Sequence, residues 1–230
     1  MSRATMTARA AELPRAPIYG IGRYEVGAEP FDFEIGWPEF ARDTAWAQSQ
    51  LTRAGLAAGD AVLITALSCE GPWFGPVLRA IKALGITYLP AEVYAFDAGR
   101  SASLLQQFDV KAFIGLGAET VDGWIEKELS SQDLLKGVDV VWARPAALAK
   151  LAGVGARVAP VFPLGPALAL GIPGESVAEV NGAEWRIDDQ GGLLNVSNVA
   201  DRAAAFDRSP TGVRGTVADV DGRHLVTLAD

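Results

Sequence analysis

The sequence predicts an α/β fold: a mainly parallel sheet with helices on both faces, followed by a small antiparallel β unit. Three observations point there. Apolar strand-sized runs alternate with segments of helical periodicity between Trp37 and Phe162. The connections are short, which favours right-handed crossovers within one sheet. Beyond Pro163 the text changes to short alternating segments broken by Asp-Gly and Gly-Gly turns.

In chain order, Met1 to Ala11 reads as a frayed arm without an apolar core run, so no signal peptide is expected. Ile18 to Ile35 reads as short strands and turns, with Gly20-Ile21-Gly22 as a turn. Trp37-Pro38 opens a helix, because proline costs little at the first helical position, and Gly55 ends it after Arg53. Strands are predicted at Ala61–Leu67, Ile86–Val93, Val110–Leu116, Val138–Ala143 and Arg157–Phe162. Helices fill Trp73–Leu84, Arg100–Phe108, Thr120–Leu135 and Ala146–Leu151. Pro163, Gly165, Pro166 and Gly171 read as a linker, and Pro173-Gly174 as a turn. The β unit comprises Val177–Val180, Glu184–Ile187, Leu193–Val196, Gly215–Val220 and His224–Leu228. The expected division is an N-terminal arm with short strands (1–36), an α/β subdomain (37–163) and a small β subdomain (164–230).

With 230 residues, half of them apolar, the chain can bury a substantial core. Its net charge of −8 disfavours nucleic acid and anionic membrane as partners, since both are polyanions. No apolar run approaches the roughly 20 residues of a membrane helix. One cysteine, Cys69, excludes an intramolecular disulfide and a thiolate zinc site. A cytoplasmic protein is expected.

The segment Gly55-Leu56-Ala57-Ala58-Gly59-Asp60-Ala61-Val62, with Ser68-Cys69-Glu70, the helix end Lys82-Ala83-Leu84-Gly85 and Tyr88-Leu89-Pro90, resembles the opening subdomain of the adenylate-forming superfamily, the acyl-CoA synthetases and their relatives. The helix from Gly99-Arg100 to Phe108 and the strand Val110 to Ile114 fit the next step of that pattern. A second patch is similar to the family's later β subdomain: Gly171-Ile172-Pro173-Gly174, then Gly191-Gly192-Leu193-Leu194-Asn195-Val196, then Thr211-Gly212 through Gly215, Asp219, Asp221-Gly222 and Leu225.

The departures from the family pattern carry as much weight. Between Val110 and Pro145 there is no Ser/Thr/Gly-rich run ending in lysine that would cradle ATP phosphates. The family's Tyr-Gly-x-Thr-Glu segment is missing. Val213 stands where the family's Thr-Gly-Asp motif has its ribose-binding aspartate, and it cannot accept those hydrogen bonds. The resemblance further implies that the sequence ends near the family's hinge, before the mobile lid and its lysine; no lysine follows Lys150. The implied protein is a shortened, non-catalytic relative, a small-molecule-binding or protein-interaction module without adenylation activity. No cofactor or metal is expected. Its partners would be an acyl, aryl or nucleotide-like molecule, a second copy of itself, or a full-length synthetase.

The candidate binding residues are Ser68, Cys69, Glu70, Asp97 and Arg100, which follow successive strands at the carboxyl edge of the sheet, where open α/β sheets hold ligands. An alternative is a small α/β enzyme or nucleotide-binding protein using that crevice. Gly115-Leu116-Gly117 lies between a strand and a helix as in dinucleotide sites, but Thr120 replaces the third glycine and reads better as a helix cap. A Cys69–His224 catalytic pair is weaker than a small buried thiol and an exposed hairpin histidine. Asp188-Asp189 and Asp219/Asp221 read as turn residues, and the six tryptophans as core.

Overall fold

The computed structural model describes residues 18–220 and 222–229; the Met1–Ala11 arm and Asp221 lie outside these. An antiparallel hairpin comes first, β1 (Ile18–Val26) and β2 (Glu29–Gly36). Gly20-Ile21-Gly22 lies inside β1 and makes no turn. A Cβ on Gly22 would sit 2.3 Å from the Phe33 ring, so the glycine gives that ring a bare stretch of backbone to cover. The turn itself is at Gly27, whose φ of 64° suits glycine.

Helix α1 (Trp37–Arg53) has the predicted bounds. It leads into β3 (Ala61–Thr65), α2 (Gly71–Ala83), β4 (Thr87–Ala91), α3 (Ala98–Gln107), β5 (Val110–Leu116), α4 (Ala118–Glu126), α5 (Ser131–Leu134), β6 (Val140–Ala143), α6 (Pro145–Leu148) and β7 (Arg157–Leu164). The single helix expected over Thr120–Leu135 is two. Glu128 takes a φ of 59°, and Ser130 caps the new helix by accepting the Asp133 N–H.

The chain continues through β8 (Ala167–Gly171), β9 (Ala178–Glu179), β10 (Trp185–Gln190), β11 (Leu193–Asn198), β12 (Ser209–Val220) and β13 (Arg223–Leu228). The expected linker is therefore a hairpin, β7 and β8 closing around Gly165 at φ 58°. Pro163 is accommodated inside β7, opposite Leu168.

All strands except the first hairpin form one sheet of 11 strands, in the order β10-β11-β12-β13-β9-β8-β7-β6-β5-β3-β4. From β4 to β7 neighbouring strands are parallel, and from β7 to β10 they are antiparallel. The sheet is thus mixed and not mainly parallel: six of its strands belong to the antiparallel run beyond β7.

Alternation along the parallel strands builds two cores. Val62, Ile64, Ala112, Ile114 and Trp142 face α1 and α2, meeting Leu51, Phe74, Val77 and Ile81. Leu63, Phe113 and Val141 face α3 and α4, meeting Ala102, Val121 and Trp124. The buried valine, leucine, isoleucine and phenylalanine side chains among these contribute roughly 1.5–3 kcal/mol each. Three buried indoles find acceptors, as their polar edges require: Trp73 donates to the Gly165 carbonyl (3.0 Å), Trp142 to the Gly171 carbonyl (2.8 Å) and Trp124 to Ser101 Oγ (2.9 Å). Trp37 and Trp46 stand partly exposed on α1.

An ionic cluster joins α1 to the C-terminal strands. The Arg202 guanidinium donates to Glu184 Oε2 (2.6 Å) and Asp43 Oδ2 (2.8 Å), and lies 4.1 Å above the Trp185 ring. Arg42 donates to both Glu184 oxygens (2.5 and 3.0 Å), and Asn181 Nδ2 to Asp43 (3.2 Å). The side chains of Arg202 and Glu184 are only 6% and 2% exposed, so removing one charge strands the other in a poorly solvated site. Arg202→Met is expected to lower stability by about 3 kcal/mol in urea denaturation, at the lower end for broken buried pairs because Arg42 still holds Glu184.

Burial raises the Asp43 carboxyl above its ordinary value of 3.8, and the charge and hydrogen bond of Arg202 offset only part of that. The folded protein therefore holds this proton more tightly than the unfolded chain. The stabilising contribution is complete below pH 3.8 and is lost as pH rises through the higher folded-state value. Relative to Asp43→Asn, the wild-type protein should lose stability as pH climbs above 3.8, read from urea midpoints at each pH.

Candidate functional site

The chain leaves β3 toward β4 on one side and returns to place β5 on the other, so the crevice between the carboxyl ends of β3 and β5 is the switch point of the parallel sheet. Here the two strand ends touch. Thr65 Oγ1 donates to the Gly115 carbonyl (2.6 Å), and a Cβ on Gly115 would lie 2.3 Å from the Thr65 carbonyl oxygen. Gly115 also has a φ of 85°, so glycine is required twice over.

Arg144, the residue after β6, lies across this junction. Its Nε donates to the Gly115 carbonyl (3.1 Å), while Nη1 and Nη2 donate to Glu70 Oε1 (2.5 Å) and Oε2 (2.8 Å). The Leu67 N–H also donates to Glu70 (2.7 Å), and the guanidinium sits 5.5 Å from the Phe74 ring centroid. Such a fork-to-fork pair is strong and directional. The switch point is closed by the protein's own carboxylate and guanidinium.

Ser68, Cys69 and Glu70 form one 3-10 turn after β3. Cys69 is exposed and not the buried thiol expected, because it lies in the turn beyond the buried end of β3, where only Glu70 is buried. Asp97 and Arg100 lie elsewhere, at the start of α3. Asp97 accepts the Glu92 N–H (2.7 Å) and Arg100 Nε (3.1 Å). Both line a cleft of about 270 Å³ beside the β4 edge, with an apolar floor from Ile64 and Leu78 and walls from Tyr88 and Phe96. Phe96 is 77% exposed and stacks on Tyr94 at 5.4 Å. The structure thus groups Asp97 with Arg100, and Glu70 with Arg144, at separate places on the same carboxyl edge.

Arg144 and Phe96 were not among the residues the sequence suggested. Arg144 could have been found as a charged residue directly after a buried strand. Phe96 could have been found as an aromatic placed between the loop acids Glu92 and Asp97.

The edge strand β4 offers little to a further strand. Thr87 N–H points inward to the Asp60 carbonyl (2.9 Å), so by alternation Tyr88, Pro90 and Glu92 point outward. Pro90 has no N–H, and that of Glu92 is taken by Asp97. This is the usual protection of an edge.

The remaining motifs serve packing. A Cβ on Gly117 would meet Val93 Cγ2 at 2.5 Å, so the turn of Gly115-Leu116-Gly117 is filled from within. Thr120 does not cap α4; it is fully buried and donates to the Val93 carbonyl (2.7 Å). His224 is half-buried, not exposed: it faces Asp219 and packs on Gly182, with Cys69 on a different element. Asp189 accepts the Gly192 N–H (2.6 Å), the turn role expected of it. Thr211 Oγ1 donates to the Leu194 carbonyl (2.7 Å) and accepts from the Val213 N–H (3.2 Å), which holds the Thr-Gly-Val segment to its own sheet.

The fold is similar to that of solved acyl-CoA ligases. The structure aligns over 97% of its length with 2-hydroxyisobutyryl-CoA ligase, solved with 2-HIB-AMP and CoA, at a TM-score of 0.64 and 15% identity, covering 60% of that enzyme. It aligns over 91% with a putative long-chain-fatty-acid CoA ligase from Rhodopseudomonas palustris (TM-score 0.56, 15% identity, 58% of that chain). For o-succinylbenzoate CoA synthetase from Bacillus subtilis the values are 93%, 0.59, 13% and 49%. The chain thus spans between about half and three-fifths of these ligases, and at such identities the likeness is one of fold. No family model matches the sequence, and no curated protein does. Among the described residues no helix is long and apolar enough to cross a membrane.

Replacing Arg144 by methionine should leave the Glu70 carboxylate, 11% exposed, with the Leu67 N–H but no counter-charge. A loss of about 2–3 kcal/mol is expected in chemical denaturation, below the full cost of a buried pair because Arg144 is 21% exposed.

Proposed function

We propose that this chain is a ligand-binding or protein-interaction module built on the acyl-CoA ligase fold, which takes up an acyl, aryl or nucleotide-like molecule without adenylating it. The observation that carries this reading is the Glu70–Arg144 pair lying across the switch-point crevice, where an incoming anion would have to displace a carboxylate already held by two short bonds. The sequence adds support. The stretch Val110–Pro145 holds no Ser/Thr/Gly-rich run ending in lysine, and Val213 stands where the family resemblance implies a ribose-binding aspartate.

In this reading the cleft beside β4 receives the small molecule. Its apolar floor and the Phe96 ring take an acyl or aryl group, and the Arg100 guanidinium, oriented by Asp97, meets a polar head. The α/β portion (37–163) supplies this site, and residues 164–230 act as a structural β subdomain. The setting is cytoplasmic, and a second copy or a full-length synthetase remains the proposed protein partner.

Two measurements decide it. ATP–pyrophosphate exchange with magnesium and a panel of carboxylic acids should stay at background; robust exchange would overturn the reading. A non-hydrolysable acyl-adenylate analogue at about 100 times its Kd should stabilise the fold by about 2.7 kcal/mol, a rise of roughly 5–10 °C in Tm. Phe96→Ala and Arg100→Gln should abolish that rise if the cleft is the site. An undiminished rise in both variants would place binding elsewhere.

A further inference from the structure

The opposite, amino edge of the parallel sheet carries a second cavity that the proposed function does not use. It holds about 210 Å³ where the C-terminal end of α1 meets the segment after β8, and its lining includes Gln50, Arg53, Trp142, Ile172, Pro173 and Arg223. The Ile172 and Pro173 side chains supply apolar surface, and the buried Trp142 indole lies behind them. Trp142 is fixed there by its bond to the Gly171 carbonyl.

The charges around the cavity are unusual for this protein. The chain has 28 acidic and 20 basic side chains, yet two guanidiniums and no carboxylate line this cavity, those of Arg53 and Arg223. Arg53 Nη2 donates to both oxygens of Glu179 (3.0 Å each), and Gln50 Nε2 donates to the same group (3.0 Å). Arg157 donates to the Ala54 carbonyl (3.0 Å), which forms part of the wall. Arg223, partly buried in the lining, has no hydrogen-bond or ion-pair partner among the described residues. A partly buried guanidinium with no counter-charge among the described residues is open to one supplied from outside.

We propose that this cavity binds a small organic carboxylate, its carboxylate paired with Arg223 and its apolar body laid against Ile172 and Pro173, above the buried Trp142 indole. The chemistry is already displayed on the neighbouring wall, where Arg53 and Gln50 hold the Glu179 carboxylate. The planar guanidinium fork matches a planar carboxylate, and the apolar lining distinguishes an organic acid from an inorganic anion. The site is separate from the β4 cleft, so the two stand or fall independently.

Benzoate is the probe. Titration of the isotope-labelled full chain should give saturable NMR shifts of the Trp142 indole and Ile172 amide, with benzyl alcohol giving none at equal concentration. Arg223→Gln should weaken benzoate about tenfold, the loss of one charge-assisted interaction. The variant should fold normally, with an unchanged Tm, because Arg223 has no partner among the described residues to lose. Arg100→Gln should bind benzoate like wild type. No saturable shift at Trp142, equal affinity in Arg223→Gln, or inorganic phosphate displacing benzoate at equal concentration would each overturn the proposal.

Discussion

Strand β7 is the constraint on which the rest of the structure depends. It pairs in parallel with β6 on one side and antiparallel with β8 on the other, so one strand converts an α/β sheet into a β meander. It does so with two prolines in its length, Pro160 at the end of the β6 pairing and Pro163 facing Leu168. Neither proline can donate to a ladder, so β7 depends on side-chain burial more than on a full set of backbone bonds. Ala159, Val161 and Leu164 are fully buried, and Phe162 nearly so. Without that burial the C-terminal strands would have no sheet to extend.

A sheet joined through one strand needs a second tie, and α1 provides it. Its Arg42 and Asp43 reach Glu184 and Arg202, its Glu39 accepts the Ala203 N–H (3.1 Å), and Gln50 and Arg53 hold Glu179. One helix thus packs its apolar face on the parallel strands and its polar flank on the antiparallel ones. The desolvation that raises Asp43 is a consequence of that tie. Removing charges from water is unfavourable, so this cluster acts less as a source of net stability than as a device that sets where the C-terminal strands dock.

Much of this was legible in the sequence for a simple reason: buried parallel strands are continuous apolar runs, and their helices end at glycine. Ala61–Thr65 and Val110–Leu116 declare themselves that way, as do the ends at Gly55 and Gly85 with φ of 97° and 72°. What failed was local composition read without its partners. Pro163, Gly165, Pro166 and Gly171 look like a linker until β7 and β8 are seen to pair. Gly20 and Gly22 look like a turn until Phe33 is seen to need the bare backbone. At the candidate site, Glu70 was legible as a carboxylate at a strand end. Its partner Arg144 was not, because it lies 74 residues away and only the β3-β5-β6 order brings the two together.

That pairing also determines what the fold can do with the place where such sheets ordinarily hold ligands. A switch-point crevice is useful because its strand ends diverge and leave backbone groups unpaired. Here those groups are spoken for: the Gly115 carbonyl by Thr65 and Arg144, the Leu67 N–H by Glu70. An anionic ligand entering there must outcompete an intramolecular carboxylate already held by Arg144 and the Leu67 N–H. Two cavities that combine apolar and charged lining lie outside that pair, one beside Asp97 and Arg100, the other beside Arg53 and Arg223. Recognition by this chain is therefore better sought at those two margins than at the centre of the parallel sheet.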